Sequence, residues 1–151
     1  MTTAARTSPF GGLRVDREEL AKNPSYQAYQ LLHLTFVVAP LIAGLDKFFH
    51  LLVNWDVYLA PVFQDILGGA RPTRIFMLIV GVVEIAAGLL VALRPRIGAY
   101  VVAAWLAAII VNLIIAGGYL DIALRDLGLF LAALAFGRLA MSYDSTAAKP
   151  A

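Results

Sequence analysis

The chain has 151 residues, 61% of them hydrophobic, and a formal net charge of +2 at pH 7. Soluble domains are about 45–50% apolar, so the composition excludes an ordinary soluble domain and predicts a single membrane domain. The small net charge gives no basis for a nucleic-acid partner. Because the chain contains no cysteine, thiolate metal sites, iron–sulfur clusters, c-type haem attachment and disulfide bonds are excluded within it.

The first apolar run follows a charged and polar segment. Residues 1–22 are expected to form a flexible tail rather than a cleaved signal peptide. The first span is predicted over residues 24–52, because Asn23 is a suitable N-cap and Pro24 suits the first helical position. Pro40 lies inside this span, where a proline is expected to kink the helix.

Residues 54–73, between the first two spans, place apolar side chains at helical spacing and polar ones elsewhere on the helix. This pattern predicts a short amphipathic helix in the membrane interface, ended by the glycines after residue 67. A structured loop that caps the bundle is the alternative. Pro61 must either kink the helix or lie in its first turn. The apolar positions are Trp55, Tyr58, Leu59, Val62, Phe63, Ile66 and Leu67.

Three further spans are predicted over residues 75–93, 97–116 and 121–141, since about 20 helical residues cross a bilayer. The small, polar residues 142–151 are expected to be disordered. The predicted fold class is therefore all-α: an integral membrane four-helix bundle over residues 23–141, with an interfacial helix between the first and second spans.

The distribution of basic residues predicts the orientation. With four spans, the termini and the turn at residues 94–96 share one side of the membrane, and this side holds more lysine and arginine than the other. Both termini are therefore expected in the cytoplasm, in a multi-pass protein of the bacterial plasma (inner) membrane. The more basic side holds Arg6, Arg14, Arg17, Lys22, Arg94, Arg96, Arg138 and Lys149; the other side holds Lys47, Arg71, Arg74 and Arg125.

Glu84 lies at the centre of the second span, which is otherwise apolar. A charged group at the bilayer centre costs roughly 2.5–3.5 kcal/mol on insertion scales, so Glu84 needs a partner, a proton or a wet cavity. Gly81, Ala87 and Gly88 share its side of the helix, and small residues mark the faces where membrane helices approach closely. Glu84 is therefore expected to point into the bundle.

The same reasoning predicts the inward faces of the last two spans. Asn112 shares a face with Ala104 and Ala108, and Asp126 shares a face with Ala133 and Gly137. Both polar residues are therefore expected to face the interior shared with Glu84.

These polar residues have two possible interpretations. In the first, they satisfy one another: Glu84 pairs with Lys47 or Arg125, and Asp121 pairs with Arg125 one turn away. In the second, they line a polar cavity that opens to the outer side and binds a quinone headgroup or a small solute, where Glu84 or His50 exchanges protons. The candidate site residues are Glu84, Lys47, Asp46, His50, Asn112, Arg125 and Asp126.

The two histidines do not form a haem site by themselves. His33 and His50 lie on one predicted helix, about 25 Å apart along its axis, so they cannot bind one iron from opposite faces. His33 is expected to be a packed or interfacial histidine. The sequence predicts no metal site, and a standalone enzyme is the least expected function because no nucleophile elbow or nucleotide-binding loop is present.

Three segments make the chain resemble the DoxX family of small four-helix membrane proteins. GLDKFF at residues 44–49 is similar to the end of the family's first helix, and EIAAGLL at residues 84–90 to part of its second. FGRLAMSYD at residues 136–144 is similar to its glycine-rich end. The resemblance covers residues 29–144, and the positions that it carries over are Gly44, Lys47, Glu84 and Gly88, with no catalytic role assigned to them.

The family is named for a subunit of a thiosulfate:quinone oxidoreductase. The resemblance implies a membrane subunit or anchor of a quinone-linked redox assembly, with quinone as ligand and with partner redox subunits or further copies of the chain. The charged pair Arg125-Asp126 and the segment at residues 54–69 depart from the family and make this a divergent member. A small proton-coupled transporter or channel and a structural scaffold or assembly factor are the alternatives.

Overall fold

A computed structural model describes residues 22–143 of the chain. The predicted tails lie outside the described residues, except for residue 22 and for residues 142 and 143, which belong to the last helix. The described part contains five α-helices, a short 3₁₀ helix and no strand. The α-helices are α1 (Pro24–Phe49), α2 (Pro61–Leu67), α3 (Ala70–Leu93), α4 (Pro95–Ala116) and α5 (Leu120–Tyr143), and the 3₁₀ helix is Trp55–Tyr58.

The all-α prediction is confirmed, and three helices have the character of membrane spans. α1, α3 and α4 are each long and apolar enough to cross a bilayer, which indicates a membrane protein in contact with lipid. α5 is as long as α3 but is not among these three. It carries Asp121, Arg125 and Asp126 near its start and Arg138 near its end.

The start of α1 follows the prediction, whereas its end does not. The Asn23 side chain accepts hydrogen bonds from the backbone N–H groups of Ser25 and Tyr26, and Pro24 opens the helix. The helix ends at Phe49 rather than at residue 52, because His50 adopts a left-handed conformation with φ of 54°. α3 begins at Ala70 instead of residue 75.

The segment between α1 and α3 forms two short helical pieces rather than one amphipathic helix. The 3₁₀ helix Trp55–Tyr58 comes first, followed by α2 with Pro61 at its first position. Ala60, between the two pieces, is fully buried, whereas Ile66 on α2 is 75% exposed. An interfacial location of α2 stays a prediction.

The helices pack in two extensive pairs, α1 with α3 and α4 with α5, which are joined by α3–α4 and α1–α5 contacts. α1 and α3 approach each other closely at Gly44 of α1 and Gly81 of α3. A Cβ atom on Gly44 would lie 2.6 Å from the Gly81 carbonyl oxygen, and a Cβ on Gly81 would lie 2.7 Å from the Gly44 carbonyl oxygen. Only glycine at both positions permits this contact, which sets how α1 lies on α3.

Aromatic rings fill the bundle towards the start of α1. The imidazole of His33 stacks on Tyr29 and on Phe136, with ring centroids 5.7 Å apart in both pairs. His33 Nε2 lies 3.2 Å from the Val91 carbonyl oxygen, and the residue is only 3% exposed. The prediction of a packed histidine is confirmed, and the ionic groups of the core lie further along α1, towards its end.

Candidate functional site

A buried ion pair links α1 to α3. Lys47 Nζ lies 2.5 Å from Glu84 Oε2, and the two residues are 2% and 7% exposed. Of the two partners that the sequence offered for Glu84, the structure selects Lys47. A carboxylate and an ammonium inside the bundle thereby form a unit with no net charge.

The sequence of α3 explains why Glu84 faces inward. Gly81, Ala87 and Gly88 are buried beside it, whereas Val82 and Leu89 are 56% and 50% exposed. The predicted orientation of Glu84 is therefore confirmed. Small side chains let α1 approach α3 closely, and the larger apolar ones cover the outer surface of the helix.

Two tryptophans complete the surroundings of the ion pair. Trp105 of α4 lies with Nε1 3.5 Å from Glu84 Oε1, so both carboxylate oxygens have a donor nearby. Lys47 Nζ lies 3.8 Å from the centre of the Trp55 ring, which is within the range of a cation–π contact. Sequence reasoning missed both as neighbours of the pair. The signal in the sequence that could have pointed to them is that the chain has only 2 tryptophans.

Asp46 holds Trp55 in position. Its carboxylate accepts hydrogen bonds from the backbone N–H groups of Leu51 and Leu52, at 2.8 and 3.0 Å, and from Trp55 Nε1 at 2.7 Å. The carboxylate therefore folds the chain back at the end of α1. The result is a Trp55 ring that lies over the Lys47 ammonium.

His50 belongs to a neighbouring cluster at the end of α1. His50 Nε2 lies 2.6 Å from Nη1 of Arg74 in the second turn of α3. A guanidinium has only donors, so His50 Nε2 is the acceptor. Asp56 Oδ1 lies 3.7 Å from Arg74 Nη1 and 4.0 Å from His50 Nε2, and it is a buried oxygen without a hydrogen-bond partner in the described part of the chain.

Asn112 binds the segment that precedes α2 rather than the ion pair. Its Oδ1 accepts from the Ala60 backbone N–H at 3.0 Å, and its Nδ2 donates to the Tyr58 carbonyl oxygen at 2.7 Å. Ala104 and Ala108 are exposed, so the predicted inward face of α4 is wrong. The buried residues of α4 are Pro95, Gly98, Ala99, Val102, Ala103 and Leu113.

Arg125 and Asp126 of α5 also lie apart from the ion pair. The Arg125 side chain is 71% exposed, and its Nε is 3.9 Å from Asp126 Oδ1. Ala133 and Gly137 are buried and the Asp126 side chain is 13% exposed, so the predicted inward face of α5 is confirmed. Within residues 22–143, the predicted pairing of Asp121 with Arg125 is not formed.

The structure thus brings together Asp46, Lys47 and Glu84, places His50 beside them, and leaves Asn112, Arg125 and Asp126 in other contacts.

Two apolar grooves on the surface reach the two tryptophans. One of about 540 Å³ runs along α1 to Trp55, and one of about 310 Å³ lies between α3 and α4 and includes Trp105. Neither is lined by a charged side chain, so neither has the character of the predicted polar cavity. The first is lined by Leu34, Thr35, Val38, Ala39, Ile42, Ala43, Leu52 and Trp55, and the second by Val83, Ala87, Val101, Ala104 and Trp105.

Metal binding has no support in the described residues, where no group of three or more His, Cys, Asp or Glu side chains could hold an ion. The arrangement consists of a buried carboxylate and a buried ammonium, each beside an indole ring. Trp55 lies between the Lys47 ammonium and the groove along α1, and Trp105 lies between the Glu84 carboxylate and the groove between α3 and α4. At the ion pair, the charged groups therefore lie behind aromatic side chains.

No protein-family model matches the chain, and no curated protein or solved structure is significantly similar to it. The resemblance to the DoxX family therefore stays a prediction.

Proposed function

We propose that the chain is a DoxX-like integral membrane protein that serves as the membrane subunit or anchor of a quinone-linked redox assembly. The observation that carries the proposal is the Lys47–Glu84 pair, which is screened by Trp55 and Trp105 from two apolar grooves. Apolar molecules can enter such grooves from the lipid. An indole ring then separates them from the ionisable groups.

The architecture that we propose has four spans, with α5 as the fourth. α5 packs extensively along α4, and residues 127–137 in its central part carry no charge. An even number of spans puts both termini on one side, and the basic turn at residues 94–96 favours the cytoplasmic side of the plasma membrane. α2 then lies at the outer interface, with Ile66 facing lipid.

The residues present fit a quinone, whose planar ring and apolar tail match an indole face and an apolar groove. When bound, such a group would supply two-electron redox chemistry that none of the side chains at this site provides. Trp55 and Trp105 would position the ring, and Lys47 would hold a proton beside the Glu84 carboxylate. Electrons would come from a partner redox subunit, which is why we assign the chain a subunit or anchoring role.

The proposal is tested by filling the grooves. Ala43→Trp and Ala104→Trp each place a large ring in one groove, and Ala86→Trp, at an exposed alanine of α3 that lines neither groove, is the matched control. The protein and its partners are purified in mild detergent, and co-purifying quinone is measured by chromatography. We expect quinone with the wild type and the control, and at least about a tenfold loss, equal to 1.4 kcal/mol, in one of the two groove variants. A lone, quinone-free wild-type chain overturns the proposal.

A structural role is the second candidate, because the ion pair is closed and satisfied. Lys47 and Glu84 lie directly beside the Gly44–Gly81 contact, where they hold α1 and α3 together. In that case Glu84→Gln lowers the stability of the protein, and the activity of the assembly is normal once protein amounts are matched. Loss of activity at unchanged stability contradicts the structural role.

A further inference from the structure

The outward face of α5 differs from the outward faces of the other three long helices. Those helices expose large apolar side chains along their central parts, as expected for contact with lipid. α5 exposes leucines as well, but among them it also exposes Arg125, whose side chain is 71% accessible and lies about 8 Å along the axis from the start of the helix at 1.5 Å per residue. An arginine inside a lipid-facing span is costly, so this face fits a protein partner better than lipid. The apolar exposed residues on the other helices include Leu31, Ile42, Ile79, Val82, Val111 and Ile114.

Five of the exposed residues of α5 form a regular seam. Asp121, Leu124, Gly128, Leu131 and Ala135 are all exposed and recur at alternating spacings of three and four residues. This is the spacing at which two helices pack along a common line. Leu124 and Leu131 are 71% and 57% exposed, and a Cβ atom on Gly128 would meet nothing within 4 Å. The seam is open along about four turns of the helix at 3.6 residues per turn.

The charges on and beside this seam have few partners within the described part of the chain. Asp121 forms no ion pair there, and the nearest carboxylate to Arg125 is that of its neighbour Asp126, 3.9 Å away. Asp121 and Arg125 have opposite charges and lie one turn apart on the same side of the helix. In a parallel pair of such helices, Asp121 of each copy and Arg125 of the other have opposite charges and lie one turn apart, about 6 Å along the axis at 1.5 Å per residue.

We propose that α5 is the dimer interface of this protein, with a second copy of the chain as its occupant. All copies have one orientation in the membrane, so the two-fold axis runs along the membrane normal and the two α5 helices lie side by side. Arg125 of each copy then reaches Asp121 of the other, which gives two equivalent ion pairs. Gly128 lets the helices approach, Leu124 and Leu131 pack on either side of it, and Arg138 extends to the headgroups at the far end.

Disulfide cross-linking tests the geometry, and the natural chain offers no cysteine to interfere. Leu124→Cys and Leu131→Cys lie on the seam. Leu129→Cys, on another side of α5, and Leu89→Cys, on α3, are controls at exposed leucines. In native membranes, we expect both seam variants to form covalent dimers at least about tenfold faster than the controls, a difference of 1.4 kcal/mol. Equal rates at all four positions overturn the proposal, as does cross-linking of the seam only to a different protein.

Charge exchange tests the chemistry independently of cysteine. Arg125→Glu and Asp121→Lys each place like charges opposite each other, so each should weaken the dimer by at least about tenfold, which is 1.4 kcal/mol. The double variant restores opposite charges and should restore the dimer. The measurement is single-molecule subunit counting of the full chain in lipid bilayers. A monomeric wild type, or single variants as dimeric as the wild type, overturns the proposal.

Discussion

Replacing Glu84 by glutamine removes the charge that compensates Lys47 while nearly preserving the shape of the side chain. Lys47 is 2% exposed, and its Nζ lies 2.5 Å from Glu84 Oε2, so the variant leaves an ammonium in the bundle without its counter-ion. Breaking a buried pair from one side costs about 3–5 kcal/mol. The cation–π contact with Trp55 persists, so we expect the lower end: the free energy of unfolding falls by about 3 kcal/mol, or roughly a hundredfold in the unfolding equilibrium.

The chain carries its own probe for this measurement. Both of its 2 tryptophans lie at the ion pair, so unfolding by SDS in mixed micelles can be followed by tryptophan fluorescence. Asp126→Asn is the matched control, because the Asp126 side chain is 13% exposed and has no buried lysine beside it. Its cost should stay below about 1 kcal/mol, as for most changes away from buried networks.

A double variant separates the effect of the charges of Lys47 and Glu84 from the effect of their side-chain shapes. Lys47→Met combined with Glu84→Gln removes both charges and leaves side chains of similar length. Replacing a buried pair by neutral groups is often neutral or stabilising, so the double variant should recover most of the loss seen in Glu84→Gln alone. The reasoning is refuted if Glu84→Gln costs no more than Asp126→Asn, or if the double variant is as unstable as the single one.

Two further variants test the contacts around the pair. Gly44→Ala places a Cβ 2.6 Å from the Gly81 carbonyl oxygen, so thermal unfolding should show a loss of about 1–3 kcal/mol from overpacking; Gly118→Ala, with nothing within 4 Å, should show almost none. Trp55→Phe keeps an aromatic ring but loses the 2.7 Å hydrogen bond to Asp46, which should cost about 1–3 kcal/mol for a buried acceptor and speed limited proteolysis after α1. Unchanged cleavage would show that this bond does not hold the segment.

The inward orientation of Glu84 could be predicted because α3 has a strong pattern. One carboxylate in an apolar run, flanked at helical spacing by Gly81, Ala87 and Gly88, leaves a single face on which a second helix can lie closely. The partner could be narrowed to two basic residues, but the choice of Lys47 depends on how far apart the helices lie. That distance is set by the Gly44–Gly81 contact, which spacing within one helix cannot reveal.

The face of α4 could not be predicted in the same way. This helix is rich in alanine, valine and isoleucine on all sides, so its apolar pattern carries little information about rotation. The small side chains of Ala104 and Ala108 predict an inward face, but both residues are exposed. The predicted end of α1 lies beyond the observed end for a related reason. Leu51 and Leu52 are apolar enough to continue a helix, but their N–H groups bind the Asp46 carboxylate instead.

The ion pair and the glycine contact specify one arrangement of α1 on α3 between them. Gly44 and Lys47 are three residues apart, as are Gly81 and Glu84, and the two helices are antiparallel. When the glycines touch, Lys47 and Glu84 are displaced by about 4.5 Å in opposite directions along the axis, at 1.5 Å per residue. Helical side chains lean towards the N-terminus of their own helix, so these two lean towards each other across the glycine contact. A shift of α1 by one turn, about 5.4 Å, would separate the charges if it moved Lys47 away from Glu84, and in either direction it would put larger side chains opposite the glycines. The cost of unpaired charges therefore excludes shifts in one direction, and the clash of larger side chains at the glycine contact excludes shifts in both.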